Sequence, residues 1–356
     1  DIQSGAEAMK LKAPTLTRRA DLLARKFPKS TLHPEVLAWV GQNITHGPWV
    51  VSLSGGVDSV LLLVLLWVHW PERRDRLRAL HFNHRLRGRA SDGDETFCRE
   101  ICRLWGIPIW VGRCGLKTKI NNEAHARDLR FEFIDRVMQK VGAHALWLGH
   151  QQNDVAETLL MRLARGSGSS GLGAPRPVQS MPFKRVHLRP LLNLKRSEIY
   201  AAMGEVRLPW REDATNQTGV YFRNRIRLEV IPAWVSAAER DAIAGAARSR
   251  ELLSEDDAAL GVWAHRLWSN MPEGQLDLKE LKDVPRAVVR RLLHHWLMSI
   301  KNVGDISRQA FDCLLDAVIC GESTRQSIGN VGFAVIRRRV LSFELGRINA
   351  PKTRRR

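Results

Sequence analysis

Six consecutive residues, Ser54-Gly55-Gly56-Val57-Asp58-Ser59, join the apolar run Trp49–Leu53 to the apolar run Val60–His69. Adjacent glycines let backbone N–H groups approach an anion closely, and a helix that starts here adds the positive end of its dipole. Two serine hydroxyls supply further donors, and Asp58 can hold a Mg²⁺ that neutralises phosphates. The combination reads as a pyrophosphate cradle. It is not the GxxxxGK(S/T) loop, because no lysine stands in it. The competing reading is an ordinary strand–turn–helix junction with an acidic cap.

Four further segments carry residues of chemical interest. In His81-Phe82-Asn83-His84-Arg85-Leu86-Arg87, the arginines Arg85 and Arg87 are candidate phosphate contacts, while the two histidines read as packing or loop residues rather than metal ligands. Glu123-Ala124-His125-Ala126-Arg127 has the spacing of a surface helix ion pair. In His150-Gln151-Gln152-Asn153-Asp154-Val155-Ala156-Glu157-Thr158, Asp154 and Glu157 are three apart and share a helix face. There they suit the helix dipole, or bind Mg²⁺, hold a cationic substrate, or act as a general base. Glu212-Asp213-Ala214-Thr215-Asn216 precedes Tyr221-Phe222-Arg223-Asn224-Arg225-Ile226-Arg227. Three arginines alternating with Phe222, Asn224 and Ile226 suit phosphate contacts beside a stacking aromatic, or else form a plain basic face.

The elements that position these segments follow from periodicity. Trp49–Leu53, Leu77–Asn83, Ile107–Arg113 and Ala145–Gly149 read as strands. Helical spacing occupies Pro34–Ile44, Val60–His69, Asp92–Trp105, Asn122–Val141 and Asp154–Arg165. Strands alternating with helices predict an α/β fold with a doubly wound parallel sheet, whose ligands bind at the carboxyl ends of the strands. The loops after Leu53, Asn83 and Gly149 should meet at one crevice. Gly166–Gly173 reads equally as a linker or a mobile lid, and 175–232 as a basic, loop-rich stretch. Residues 1–30 are expected to form a basic arm, a loose segment or short helix, and 31–232 the catalytic domain. A single linker helix is expected over 233–259. A smaller, mainly helical C-terminal domain should follow over 260–349, with helices around Pro285–Ser299 and Ser307–Ile319 and strand-like ends, then a basic tail over 350–356. Residues 1–8, before Met9, read as a vector scar or an alternative start.

Composition narrows the partners. The 356 residues hold 56 Lys and Arg against 37 Asp and Glu, a net charge of +19. Residues 1–232 carry most of the excess, with 36 basic and 22 acidic side chains. Such a field attracts polyanions, nucleic acid above all. The five cysteines at 98, 102, 114, 313 and 320 contain no CxxC pair, which excludes a zinc ribbon, a redox dithiol or a disulfide framework. The longest apolar run, Val60–Val68, is too short to span a bilayer. With no secretory signal, a reducing, cytoplasmic setting is expected and no membrane partner.

The Ser54–Ser59 loop resembles that of the ATP pyrophosphatases. Together, SGGxDS, HxxHxLR, EAxAR, HxxxDxxET followed by RGSG, the RPLL of Arg189–Leu192, and DxTN…RNxIR stand in the order seen in tRNA(Ile)-lysidine synthetases. The resemblance covers about Val50 to Pro232, and extends more weakly through 260–345. It implies an adenine nucleotide alpha hydrolase-like fold with a C-terminal tRNA-binding domain. The implied reaction uses ATP and Mg²⁺ to join L-lysine to C2 of the wobble cytidine of an isoleucine tRNA with a CAU anticodon, releasing AMP and pyrophosphate. By the same resemblance Ser54, Gly55, Gly56, Val57, Asp58 and Ser59 bind ATP, with Asp58 on Mg²⁺. Arg127 meets the adenylate charge, Asp154 and Glu157 handle the lysine amine, and Arg85, Arg87, Arg223, Asn224, Arg225 and Arg227 contact tRNA. The chain departs from the family pattern at Asn122 (often Gly), Asn153 (often Asp) and Val155 (often Gln), and is expected to end without the second C-terminal domain of longer members. The oligomeric state is open, a homodimer included. The alternatives are a tRNA 2-thiolating enzyme, which usually needs CxxC, an ATP-dependent ligase of a metabolite, and a non-catalytic RNA-binding protein on the same scaffold.

Overall fold

The computed structural model describes residues 12–43, 47–115, 123–212, 221–301, 306–329 and 331–346. Residues 1–11, Asn122, Asp213–Asn216, the Glu123 side chain and the basic tail lie outside them. The chain divides into two compact units, Asp1–Ser254 and Glu255–Arg356.

The first unit begins with helices α1 (Ala13–Lys26) and α2 (Pro34–Gln42). The segment read as an arm is thus largely helical, and Leu16, Ala20 and Leu23, spaced for one helix face, are fully buried. Then follow β1 (Trp49–Ser52), α3 (Val57–His69), β2 (Leu77–Asn83), α4 (Arg89–Leu104), β3 (Ile109–Arg113), α5 (Glu123–Val141), β4 (Ala145–Trp147), α6 (Gln152–Leu163) and the short α7 (Ser169–Leu172). A hairpin, β5 (Val178–Met181) and β6 (Arg185–Leu188), leads to α8 (Arg196–Glu205). This hairpin lies in the stretch read as loop. Its strands are four residues each, too short for a period-2 signal, and its tip holds Phe183 and Lys184 at positive φ without a glycine to announce the turn. Helices α9 (Phe222–Arg225) and α10 (Ile231–Ala237) are joined by a π-helical turn, Ile226–Val230. The single linker helix expected over 233–259 is instead two: α10, then α11 (Ala242–Trp268), within which the two units divide.

The sheet order is β3-β2-β1-β4-β6-β5, parallel except for the β5 edge. Strand residues alternate between two cores, as period-2 geometry requires. Val51, Ala79, Ala145 and Trp147 face a core shared with α1, α3, α4 and α8. Val50, Leu80, Leu146 and Leu148 face a second core built with Ile134, Val137 and Met138 of α5. Helix α3 is apolar on every side and buried on nearly every side, from Ser59 to Leu66. A rigid element therefore carries the residues at its own N-terminus. The chain leaves β1 toward β2 and β3, then returns to place β4 on the other side of β1. The crevice between the carboxyl ends of β1 and β4 is the switch point where such sheets bind ligands.

In the second unit α12 (Arg286–Ser299) and α13 (Arg308–Cys320) share a core with a four-stranded antiparallel sheet, ordered β7 (Leu276–Asp277), β10 (Val340–Leu345), β9 (Gly332–Arg337), β8 (Thr324–Ile328). Among the described residues no helix is long and apolar enough to cross a membrane.

Candidate active site

The loop after β1 is closed by its own serines. Ser54 N donates to Ser59 Oγ (3.2 Å), Gly56 N donates to Ser54 Oγ (3.2 Å), and Ser59 Oγ donates to Gly56 O (2.9 Å). Gly55 adopts φ +91°, and a Cβ there would press on Cys98 Sγ at 3.3 Å. On the facing strand end, a Cβ on Gly149 would lie 2.9 Å from Asp58 O. Gly149 thus lets the turn after β4 sit directly against the first turn of α3, and Gly55 lets the loop lie against α4. Arg211 N donates to Gly55 O (2.9 Å), fixing the outer side of the loop.

A cavity of about 670 Å³ opens above this contact. It is lined by Ser54, Gly56, Val57, Asp58 and Ser59, by Asp154 and His150 after β4, by His84 and Arg87 after β2, and by Arg127 and Arg130 of α5. Arg223, Asn224 and Arg227 complete it.

The carboxylates divide into two kinds. Asp58 Oδ1 is buried with no hydrogen-bond partner, and burial, reinforced by Asp154, pushes its pKa up to about 7. Asp154 and Glu157 are paired. Gln151 and Asp154 form a capping box at the start of α6, with Gln151 N donating to Asp154 Oδ2 (2.9 Å). Arg223 donates to Asp154 Oδ1 (2.6 Å) and to Glu157 Oε2 (2.7 Å). Arg227 donates to Glu157 Oε1 (2.6 Å) and Oε2 (3.0 Å).

A model of the PP-loop domain matches residues 29–234, more than half of the chain. The chain belongs to the PP-loop domain family. Similar curated proteins carry the name tRNA(Ile)-lysidine synthase. That of Geobacter sulfurreducens is 35% identical over 300 residues, covering 79% of this chain and 62% of that protein. The Pseudomonas aeruginosa protein is 34% identical over 285 residues, covering 76% and 63%, and that of Clostridium acetobutylicum is 32% identical over 262, covering 71% and 56%. The chain therefore spans about six tenths of the length of these relatives.

Around the PP-loop, the structure brings together Asp58, Asp154, Glu157, Arg223 and Arg227, which stand far apart in the sequence. It does not present the three arginines of the RNxIR segment on one RNA-facing surface. The segment is helical, so Arg223 and Arg227, four apart, both turn to α6, while Arg225 is exposed and Asn224 is buried. The sequence reading left this face open, and the helix decides it. Arg87 is held by Asp94 (2.6 Å), which Arg211 also binds (2.9 Å). Arg85, at φ +58°, has its backbone N–H on Asn83 Oδ1 (2.8 Å). His81 donates from Nδ1 to Leu53 O (2.9 Å), a packing role. The departure at Asn153 is accommodated: its Oδ1 accepts from the Arg196 backbone N–H (3.3 Å) at the start of α8. Val155 is fully buried.

Of three further lining residues, His84 and His150 stand in motifs singled out in the sequence, while Arg130 carried no signal. Burial lowers the pKa of His84 to about 4 and of Arg130 to about 10, and depresses that of His150 well below the ordinary imidazole value. The Arg130 Nε and His84 Nδ1 atoms are buried without partners. Only tertiary contact gathers the three on one wall. Among the described residues no group of three or more His, Cys, Asp or Glu side chains converges as a dedicated metal centre does.

Proposed function

We propose that the chain is an ATP-dependent RNA-modifying ligase that joins lysine to C2 of the wobble cytidine of an isoleucine tRNA with a CAU anticodon. The observation that carries this reading is the PP-loop and Asp154 lining one cavity, with Glu157 buried behind and the pair already holding cations. The curated names of the similar proteins and the net charge of +19 support the same substrate class.

The cytosine C2 carbonyl is a poor electrophile because its oxygen cannot leave. Attack of that oxygen on the α-phosphorus of ATP expels pyrophosphate and turns the oxygen into part of AMP. The lysine ε-amine then attacks C2, and AMP departs with the oxygen. The PP-loop backbone and Ser54 and Ser59 cradle the polyphosphate. A Mg²⁺ fits beside Asp58, whose unpartnered buried oxygen needs a cation. Mg²⁺ is held by one or two carboxylates plus substrate phosphates rather than by an all-protein cage, so one such oxygen suffices. Bound there, Mg²⁺ neutralises the phosphate charge. Arg127, on the cavity wall, faces the charge of the adenylate.

Neutralising a lysine amine of pKa about 10.4 at pH 7 costs roughly 4–5 kcal/mol. Asp154 and Glu157 offset this by holding the ammonium and accepting its proton. Their present partners, Arg223 and Arg227, mark the place as a cation site. In this reading those two arginines position the carboxylates, while exposed Arg225, the cavity-lining Arg87 and its neighbour Arg85 meet the RNA, with the C-terminal unit adding contacts. The anticodon base must be splayed out to enter, as loop bases are when proteins read them. A tRNA substrate and five free cysteines support a cytoplasmic setting. A thiolating enzyme would need a thiolate at the cavity, whereas burial raises Cys98 well above its ordinary value and Cys102 to about 12.

The test is incorporation of labelled lysine into an isoleucine tRNA transcript with a CAU anticodon, beside a methionine tRNA sharing that anticodon. ATP-dependent labelling of the isoleucine transcript alone is expected. Pyrophosphate release without labelling would keep the adenylation and overturn lysine as the nucleophile.

A further inference from the structure

Arg189, in the RPLL segment after β6, is 5% exposed, yet its guanidinium is engaged by neutral acceptors. Its Nη1 donates to Arg176 O (2.7 Å), its Nη2 to Gln179 Oε1 (3.0 Å), and its Nε to His150 Nδ1 (3.0 Å). A buried cation is costly to keep without a carboxylate. What this one achieves is visible in the third bond. A guanidinium only donates, so Nδ1 of His150 must be unprotonated and a neutral ring must carry its proton on Nε2.

That ring lines the same cavity as the PP-loop. Its backbone follows Gly149, whose Cα lies against the Asp58 carbonyl at the start of α3. Burial first, then Arg189, Arg223, Arg130 and Arg127, hold the imidazole neutral. The wall therefore offers, in His150, a neutral N–H donor of fixed tautomer among several guanidiniums, beside the place where phosphates bind.

We propose that His150 donates its Nε2–H to an oxygen of the phosphoryl group transferred in the reaction, and that Arg189 is a positioning residue that fixes the tautomer. The inference rests on the nucleotide-binding part of the proposed function. Charge develops on the α-phosphoryl oxygens when pyrophosphate leaves, and again when AMP leaves C2. A preorganised donor aimed there stabilises both steps. No proton is transferred, because a neutral imidazole with its proton on Nε2 acts as a hydrogen-bond donor throughout.

NMR of protein carrying ¹⁵N-labelled histidine reads the tautomer directly. At pH 7, His150 should show protonated Nε2 and bare Nδ1, and the Nε2–H signal should move when AMP is added. In Arg189→Gln the tautomers should mix. His150→Ala should slow tRNA-dependent pyrophosphate release about 100-fold, with KM for ATP changed less than about threefold. His150→Gln, whose amide N–H matches the Nε2 position, should recover to within about tenfold of the parent. A proton on Nδ1, an imidazolium at pH 7, an Nε2–H signal indifferent to AMP, or a Gln variant as slow as Ala would overturn the proposal. If the parent protein transfers no lysine, the lysidine reading fails, while the tautomer and the AMP titration still decide the role of His150.

Discussion

Helices α4 and α6 each bury a pair of carboxylates clamped by arginines. On α4, Asp94 is bound by Arg87 and Arg211, and Glu95 by Arg99 and Arg113. On α6, Asp154 and Glu157 share Arg223 and Arg227, and Asp58 stands beside them with an unpartnered oxygen. The first cluster has four arginines for two acids. Hydrogen bonds from Arg113, with Arg99 and Asn83, outweigh burial and hold Glu95 at about 2. The second has three acids for two clamping arginines, and Asp58 is pushed up to about 7. The same chemical parts make a fully paired clamp on α4, and beside α6 leave a buried acid oxygen without a hydrogen-bond partner, where burial first and Asp154 next raise the pKa.

The largest effect on activity should come from removing the surplus acid. Asp58→Asn is expected to lower pyrophosphate release by roughly three decades, the scale of losing a preorganised electrostatic contact. It should also stabilise the fold above neutral pH. Because the folded-state pKa of Asp58 is raised, its contribution is favourable below about 4 and is lost as pH rises to about 7. Urea unfolding of the parent should therefore weaken across that window by on the order of 4 kcal/mol at most, and the variant should not. Equal pH dependence in both would break the comparison.

Glu157→Ala leaves two arginines without their shared carboxylate. Lysine transfer should fall about 100-fold, with a stability loss of about 3–5 kcal/mol. Glu157→Gln separates charge from shape: adenylation, read as pyrophosphate release, should persist while lysine transfer fails. Glu95→Gln should instead cost stability and leave both steps nearly intact. Glu95 is 4% exposed, but Arg99 and Arg113 are about half exposed, so solvent discounts the pair to about 1–3 kcal/mol. Its contribution is present above the ordinary carboxylate pKa and is lost as pH falls toward about 2, and turnover should change less than about threefold. The smallest change belongs to Arg225→Ala: stability within about 0.5 kcal/mol, and a log–log salt slope for tRNA binding shallower by about one.

The parallel sheet was legible because β1 and α3 are unbroken apolar runs and Ser54–Ser59 sits between them. The α6 carboxylates were legible as a same-face pair from their spacing of three. Other features were hidden for particular reasons. Strands β5 and β6 are too short to show a period, and α1 looked like an arm because its three buried residues are diluted by arginines and lysines. The RNxIR segment alternates in sequence, but it folds as a helix, which sends Arg223 and Arg227 one way and Arg225 another.

By itself, the sequence determined the local chemistry: glycines where a loop must approach an anion, an apolar helix to anchor that loop, and charged residues at helical spacing. These depend on backbone geometry and on residues a few positions apart. Only the tertiary structure decided the charge balance of each cluster, because pairing, burial and pKa depend on which distant side chains meet. Asp58 is an unpartnered acid because the chain's return through β4 brings Asp154 beside it. His150 holds its proton on Nε2 because Arg189, 39 positions away, reaches the other nitrogen.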